Sequence, residues 1–504
     1  MKLNKYKNIE IEESEVDFIN DMNTILETPI EIQIKNTKSD YPSHIIVENS
    51  HIISLYLYGD VFHVPDSIQN LQNLTQLIIN TPKEHYDERS ILKIPDSFGK
   101  LKNLKNLEII SLADLYLPES FKNLKSIRRI KLAGVNFPNQ ENLTNISSKE
   151  LDFIEIFSQD LRSLDAGFFK QNIDLKELHI HSGCLEEISE HIGDLPNLQK
   201  VDFSGRNQLK SLPNSICKLK NLEVLNLKMN RLEKLPQEIG KLINLKILNL
   251  QKNQLSVLPR SFGELKCLEI LDLQNNKLKE LPLNFGKMIN LLELDVSDNN
   301  LELIPESFTQ LSRIFSINFD SNNLTSFPEN FGDLKNLQNL DITGNKITSL
   351  PDSMGNLQYL EKLKAEFNFI RKIPKTFANL KRIKYLNFTG NEISKLPDIF
   401  QNFGQLEYLS LMDNKISFLP SSFSKLKEIK ELYLSYNNFS SFPESVTSLS
   451  KLQRIYLQGN QISTIPKEIE FPDSLIYFNI LINPLEINST LLQKLKDVEF
   501  LFTK

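Results

Sequence analysis

Residues 222–242 read LEVLNLKMNRLEKLPQEIGKL, and this stretch decides the fold because its pattern recurs along most of the chain. Prolines stand at a constant spacing of 23 from Pro213 to Pro466, and an asparagine lies six residues before each one, from Asn207 to Asn460. Leu225 and Leu227 alternate with their neighbours, and a period of two predicts a short strand with one buried face. The proline then ends the strand because it fixes the backbone and lacks an N–H donor.

A single repeat cannot bury its own leucines, so successive coils must stack with their strands side by side in a parallel sheet. The asparagine amide can donate to and accept from backbone groups of neighbouring coils, which predicts a buried hydrogen-bonded ladder. The apolar residue three positions after the proline predicts a spine that packs the outer layer. The predicted spine consists of Ile239, Phe262, Phe285, Phe308, Phe331, Met354, Phe377, Phe400 and Phe423.

The repeated unit, L-x-x-L-x-L-x-x-N-x-L-x-x-L-P-x-x-I-G-x-L, resembles the leucine-rich repeat over about residues 51–488. The spacing of 23 with L-P-x-x-F/I-G-x-L resembles the intracellular Ras-group class, which also occurs in many bacterial repeat proteins. The resemblance implies an α/β leucine-rich repeat solenoid. This would be a right-handed horseshoe with a parallel β-sheet on the concave face and short helical or 3-10 segments on the convex face. About 19 repeats would fit, irregular before residue 190 and regular after it.

The two ends depart from the repeat and are expected to cover the open ends of the stack. Residues 1–50 form the predicted N-terminal cap, in which Ser14 and Asp17 favour the start of a helix. Residues 489–504 carry apolar positions at helical spacing and form the predicted C-terminal helical cap. The polar insertion from Thr81 to Ser90 lengthens one irregular repeat and predicts a protruding loop.

Composition excludes several classes of function. The net charge is −6, whereas a dedicated nucleic-acid binder is usually basic. The three cysteines, none in a Cys-x-x-Cys pair, exclude a disulfide scaffold and favour a reducing compartment. The N-terminal sequence lacks the apolar core of a signal peptide, so we expect a cytoplasmic protein without membrane insertion, although export without a signal stays open. No nucleotide-binding, hydrolase, metalloprotease or kinase motif occurs, which predicts a protein that is not an enzyme and needs no cofactor.

Without catalytic motifs, the predicted function is binding of another molecule by the strand residues that face outward. These residues lie 12, 10 and 8 residues before each proline and are called positions −12, −10 and −8. Towards the C-terminus these positions and position −7 become aromatic, a composition typical of interface centres. The middle coils are acidic at position −10, which would suit a basic partner, although a solvated strand face explains the charges equally well. The predicted partner-binding residues are Phe367, Tyr385, Tyr408, Tyr433, Tyr436, Tyr456 and Tyr477, together with Asp272, Asp295 and Asp341.

His179 and His181 have the spacing of metal ligands and flank a buried isoleucine, so both should face outward. Alignment of the coils places Glu155 and Asp202 beside His179 on the neighbouring strands. The pattern is also that of solvated polar residues on an open sheet, and this simpler interpretation predicts no metal site.

Members of the family that the chain resembles generally act as scaffolds that hold another protein on the concave face. The resemblance therefore implies a non-enzymatic protein-binding scaffold. A regulator of a small GTPase or signalling pathway is the alternative, and a metal-dependent activity at His179 and His181 is a remote one. Sequence leaves the partner and the oligomeric state open.

Overall fold

The structure is a computed structural model that divides into two compact units, Met1–Gln254 and Leu255–Lys504. It describes residues 3–6, 9–26, 28–33, 43–81, 91–111, 113–135, 137, 140–486 and 489–502. The predicted loop at 81–90 lies outside these residues except for Thr81. Among the helices of the described ranges, none has the length and apolarity that crossing a lipid bilayer requires.

The first unit has one main-sheet strand in each coil and additional two-stranded sheets. The strands are β1 Leu3–Tyr6, β2 Ile9–Glu12, β3 Glu31–Gln33, β4 His44–Glu48, β5 His51–Tyr58, β6 Gln76–Thr81, β7 Ile91–Lys93, β8 Asn106–Ser111, β9 Asp114–Tyr116, β10 Arg129–Val135, β11 Phe153–Ser158, β12 Ser163–Leu164, β13 Glu177–Ser182, β14 Glu187–Ile188, β15 Lys200–Asp202, β16 Val224–Asn226 and β17 Ile247–Asn249. The two-stranded sheets pair β1 with β2, β7 with β9 and β12 with β14. The α-helices are α1 Glu13–Ile25 and α2 Ala166–Gln171. The 3-10 helices are Asp66–Asn70, Asp96–Lys100, Glu119–Asn123, Gln140–Asn145, Glu190–Asp194, Asn214–Lys218 and Ile239–Lys241.

The second unit repeats the same coil more regularly. Its strands are β18 Ile270–Asp272, β19 Glu293–Asp295, β20 Ser316–Asn318, β21 Asn339–Asp341, β22 Lys362–Lys364, β23 Tyr385–Asn387, β24 Tyr408–Ser410, β25 Glu431–Tyr433, β26 Arg454–Tyr456, β27 Tyr477–Asn479 and β28 Glu499–Leu501, and its α-helix is α3 Ser489–Lys494. The 3-10 helices are Arg260–Glu264, Phe285–Lys287, Glu306–Gln310, Phe331–Asp333, Asp352–Asn356, Lys375–Asn379, Phe400–Asn402, Ser421–Lys425 and Glu444–Ser448.

The main sheet of each unit is parallel and pairs each coil with the next. In the second unit the pairing runs without interruption from β18 to β28. In the first unit it runs through β5, β6, β8, β10, β11, β13, β15, β16 and β17, and one antiparallel pair joins β4 to β5. The strands keep the predicted register, with Leu225 beside Leu248 for example. The predicted α/β fold class with a parallel sheet is thereby confirmed.

Leucines, asparagines and phenylalanines occupy the core as predicted. The spine residues from Ile239 to Phe423 are all at most 1% exposed. Asn345 shows the ladder: its Nδ2 donates to the Phe319 carbonyl at 3.0 Å and its Oδ1 accepts from the Leu324 N–H at 2.9 Å. Each asparagine therefore joins its own coil to the preceding one.

Both predicted caps differ in detail from the structure. Helix α1 begins at Glu13, and Glu12 at its N-terminus makes no side-chain capping bond, so the predicted start at Ser14 is wrong. The helix predicted for 489–504 ends at Lys494, and β28 then pairs with β27. The rings of Phe478 and Phe500 contact each other across this pair, at 5.2 Å between centroids. The domain boundaries at 50 and 488 stay predictions.

Candidate protein-binding face

The open face is the side of each main sheet whose side chains do not enter the core. Because the strands are parallel and in register, residues 23 apart lie side by side on it, as Tyr385 and Tyr408 do. Tyr433 lies beside Tyr456 in the same way. The sequence thus determines which outward side chains are neighbours within a unit.

Five tyrosines form one continuous stack on β23 to β27. The rings of Tyr385 and Tyr408 are parallel at 4.2 Å, and those of Tyr433 and Tyr456 are parallel at 4.3 Å. Tilted contacts of 5.2 Å and 4.9 Å join Tyr408 to Tyr433 and Tyr456 to Tyr477. We call these five residues the tyrosine stack. It changes from position −12 to position −10 and back, over about 20 Å.

Glu431 fixes the middle of the tyrosine stack. Its Oε2 accepts from the Tyr433 hydroxyl at 2.9 Å, and its Oε1 accepts from Arg454 Nη1 at 2.8 Å. Burial raises the pKa of Tyr433, and the hydrogen bond to Glu431 raises it further because the ionised phenol would face a carboxylate. Burial also raises the pKa of Tyr408. Both hydroxyls therefore remain neutral donors at physiological pH.

Phe367 and Tyr436 lie outside the tyrosine stack and are more exposed, at 61% and 42%. Both occupy position −7 with left-handed backbone, at φ 51° and 53°. A bulky residue in this region is an outlier, and such strain often accompanies a functional role. Gly390 and Gly459 stand beneath the two rings, since a Cβ there would lie 2.7 Å from Phe367 Cδ1 and 2.5 Å from Tyr436 Cδ1.

The predicted acidic residues have a local structural role. Oδ1 of Asp272, Asp295 and Asp341 accepts the backbone N–H two residues on, at 3.0, 2.9 and 3.1 Å. Asn226 and Asn249 make the same bond from position −10. Because an uncharged amide fills the position equally well, the turn explains why these residue types occur there.

Lysines separate the acidic positions from the tyrosine stack. Lys364 on β22 donates to Asp341 Oδ2 at 2.8 Å, and Lys362 lies 5.0 Å over the Tyr385 ring. Glu366 accepts from Thr343 Oγ1 at 2.8 Å, and burial raises the pKa of its carboxyl. Sequence reasoning missed these residues because they act across coils. It also missed Gly390 and Gly459, although each stands 23 residues after an aromatic residue.

The histidine pair lies on the open face of the first unit. The predicted neighbours are confirmed, since His179 pairs with Glu155 on β11 and with Asp202 on β15. One ligand atom from each of Glu155, His179 and His181 lies within 4.8 Å of the others.

Comparisons with known proteins identify repeats over much of the chain. The family described as "Leucine-rich repeat region" matches residues 233–343, and the family "Leucine rich repeat" matches 366–416 and 417–462. Two further leucine-rich repeat families match residues 196–239 and 336–357. A search of curated proteins gives no match. The Ras-group subtype stays a prediction.

Solved structures give the same result. The chain is similar to a leucine-rich repeat protein of Leptospira interrogans, with 30% identity over 79% of this chain and 96% of that one and a TM-score of 0.63. The Arabidopsis receptor kinase HAESA ectodomain, in complex with an IDA peptide hormone ligand, is 25% identical over 89% of this chain and 76% of that one, with a TM-score of 0.63. The plant peptide hormone receptor RGFR1 in complex with RGF2 shares the fold, with 23% identity over 89% and 81% of the chains and a TM-score of 0.69.

Leucine-rich repeats generally mediate protein–protein interaction and are typically non-enzymatic scaffolds. The repeat matches, the coil architecture and the similarity over nearly the whole Leptospira protein agree with one another. The chain belongs to the leucine-rich repeat proteins.

Proposed function

We propose that this chain is a non-enzymatic scaffold that binds another protein on the open face of its second unit. The tyrosine stack, Phe367 and Tyr436 would form the contact. The proposal keeps the prediction that this face is concave and that the protein is cytoplasmic. All three cysteines are free thiols, which fits a reducing compartment.

The observation that carries the proposal is the placement of Phe367 and Tyr436. Positive φ suits glycine and asparagine, and the turn of every regular coil imposes it at position −7, where Asn275 and Gly344 stand but also Met229 and Ile482. An aromatic ring there stays exposed, and its partial burial only about offsets the backbone strain, so folding alone does not select it. Contact with a partner would bury both rings, and aromatic residues dominate the binding energy of many interfaces.

The tyrosine stack supports the proposal by making a rigid aromatic surface beside these two residues. Its rings cover each other's faces, and their fixed positions reduce the entropy lost on binding. Its members remain only partly buried. The receptor complexes among the similar structures show that proteins of this fold bind polypeptide ligands, which agrees with the proposal.

The carboxylates at position −10 would contribute to partner choice. Asp272 and Asp295 bond the turn through Oδ1, and Asp298 and Asp320 also belong to the second unit, where Asp298 lies close enough to Asp320 to act on its pKa. Burial raises the pKa of Asp320, and the like charges of Asp341 and Asp298 raise it further. A basic partner surface would relieve this repulsion, so binding should weaken with added salt.

The test combines Phe367→Asn and Tyr436→Asn in the full chain. Phe367 is 39% covered, or about 80 Å² of ring, which is worth about 2 kcal/mol of burial. Relief of the left-handed strain returns about 1–2 kcal/mol, so Phe367→Asn alone should change stability by no more than about 1 kcal/mol. Met229→Asn is the matched control, since Met229 has φ 59° at the same position in the first unit.

A partner captured from native lysate by the unmodified chain would be titrated against each variant. We expect the double variant to lose at least about tenfold in affinity and Met229→Asn to lose none. Equal affinity of the double variant, with an unchanged circular dichroism spectrum, would refute binding through these rings. Gly390→Ala gives an independent check, because its Cβ must displace the Phe367 ring.

A further inference from the structure

Three potential metal ligands meet on the open face of the first unit, more than a hundred residues before the first member of the tyrosine stack. They come from two adjacent strands, Glu155 from β11 and His179 and His181 from β13. A carboxylate oxygen and one nitrogen of each ring lie within 4.8 Å of one another. Two imidazoles and a carboxylate are the ligand set of many zinc sites that keep a fourth position open.

The His181 ring is oriented by contacts that leave one nitrogen available. Its Nδ1 lies 3.1 Å from the Ser204 carbonyl oxygen, which can only accept, so Nδ1 carries the proton. In the neutral ring Nε2 then keeps its lone pair. The Phe157 ring stacks on the imidazole at 4.4 Å and 21°, which holds its plane. Ligand histidines in metal sites are typically oriented through such a bond from the other nitrogen.

His179 has a polar atom that the protein does not satisfy. Its Nε2 is buried and has no hydrogen-bond partner among the residues that the structure describes. The nearest carboxylate oxygen of Glu177 is 3.5 Å away, too far for a good hydrogen bond. An unsatisfied buried polar atom in a folded protein requires an explanation, and a bound ion or water is one that fits a ring nitrogen beside other ligands.

A lysine lies beside the carboxylate of the three ligands and is also close to one further acidic residue. Lys131 lies 3.4 Å from Glu155 Oε2 and 3.5 Å from Glu108 Oε1, so it competes for one carboxylate oxygen. A carboxylate has a second oxygen that can still bind a cation. Lys131 would therefore weaken metal binding without preventing it.

A second group of possible ligands, Glu12, Glu15 and His51, lies in the N-terminal region. The Glu15 carboxylate is fully buried, and it already accepts the Ile52 N–H at 2.8 Å and faces His51 Nδ1 at 3.2 Å. Its lone pairs serve to hold α1 against β5. This group therefore serves as an internal comparison for the site on β11 and β13.

We propose that Glu155, His179 and His181 form a binding site for a divalent transition-metal ion of the zinc class. Imidazole ligands favour such ions over calcium and magnesium, which prefer all-oxygen sites. The remaining coordination position is open to water or to a donor atom of a second molecule. The site lies in the first unit and does not depend on the proposed role of the tyrosine stack.

The experiment titrates zinc chloride into the tag-free full chain after treatment with a chelator, by isothermal titration calorimetry. We expect one ion per chain and a loss of at least about tenfold in affinity for Glu155→Gln and for His179→Gln with His181→Gln. His191→Gln and His51→Gln remove other histidines and should leave the affinity unchanged. Cobalt substitution should give visible absorption bands of four-coordinate geometry that disappear in the double variant.

Lys131→Met distinguishes a ligand role of Glu155 from a structural one. If Glu155 binds zinc, loss of the competing lysine should raise the zinc affinity by about threefold or more. Circular dichroism verifies that each variant folds. Absence of stoichiometric zinc in the unmodified chain would overturn the proposal. So would equal zinc binding in the double histidine variant, or loss of binding only in His51→Gln.

Discussion

Asn253 and Asn230 offer a direct test of the buried asparagine ladder, because the side-chain oxygen accepts a hydrogen bond in Asn253 but not in Asn230. Both are 7% exposed and both lie in the first unit. Asn253 Nδ2 donates to the Leu227 carbonyl at 2.9 Å, and its Oδ1 accepts from the Leu232 N–H at 3.0 Å. Asn230 Nδ2 donates to the Phe203 carbonyl at 2.8 Å, but its Oδ1 has no partner among the described residues.

Replacement of each asparagine by alanine removes the same volume from equally buried sites, so the cavity term should be similar. Asn253→Ala also leaves the Leu232 N–H buried and unpaired, and an unsatisfied buried donor costs about 1–3 kcal/mol. The Leu227 carbonyl is not orphaned, because Asn230 Nδ2 also donates to it at 3.0 Å. We therefore expect Asn253→Ala to lower the free energy of unfolding by about 1–3 kcal/mol more than Asn230→Ala.

Urea unfolding monitored by circular dichroism would compare the two variants with the unmodified chain. A repeat array can unfold in more than one step, so native-state hydrogen exchange at the Leu232 amide provides the local measurement. This amide should lose protection in Asn253→Ala and keep it in Asn230→Ala. If the two variants are equally destabilised, or if Asn230→Ala is the worse, the bond from Leu232 does not stabilise the stack as we infer.

Two further predictions concern the second unit. Gly286→Ala places a Cβ 1.7 Å from the Ser307 carbonyl oxygen and should lower the free energy of unfolding by about 3 kcal/mol. A Cβ on Gly404 meets nothing within 4 Å, so Gly404→Ala should raise the free energy of unfolding by about 0.4–1 kcal/mol. Similar melting temperatures of the two variants would contradict the prediction. Burial raises the pKa of Tyr408 and Tyr433 in the folded chain. The stability that their neutral hydroxyls contribute is therefore fully present below the unfolded-state pKa of about 10, and it is lost as the pH rises through the folded-state pKa. Ultraviolet absorbance near pH 11 should then show fewer ionised phenols in the native chain than in the unfolded chain, and this difference should be smaller in Tyr433→Phe. Equal ionisation of the native and unfolded chains would exclude the raised pKa values.

The coil architecture could be predicted from sequence because its interactions repeat at a fixed interval. Each strand leucine and spine residue lies beside its equivalent in the next coil, and each asparagine bonds the backbone of the preceding coil, so one repeat specifies the contacts of the others. The stacking of Tyr385 on Tyr408 follows from the same interval, since residues 23 apart are neighbours. Where the spacing of 23 residues holds, the neighbours of a side chain on the sheet can be identified from the sequence alone.

The caps could not be predicted in the same way because long-range contacts decide them. Glu15 bonds the Ile52 N–H across 37 residues, and this contact, not a capping pattern at Ser14, positions α1. The apolar spacing of 489–504 favours a helix throughout, but pairing with β27 converts Glu499–Leu501 into a strand. Both contacts are single events without a repeat to reveal them.

The tyrosines at position −10 give the strongest argument that the second unit has a binding role. Asp and Asn at this position bond the backbone N–H two residues on, a bond worth about 1 kcal/mol, and a tyrosine side chain has no acceptor in reach for it. The parallel stacking of Tyr433 on Tyr456 returns about 0.5–1.5 kcal/mol. The exchange is therefore nearly neutral for stability, so the fold alone gives no reason to prefer tyrosine there. The proposed recognition of a partner would supply that reason, and the proposed contact includes Phe367 and Tyr436, whose exposed rings stand on left-handed backbone in the same unit.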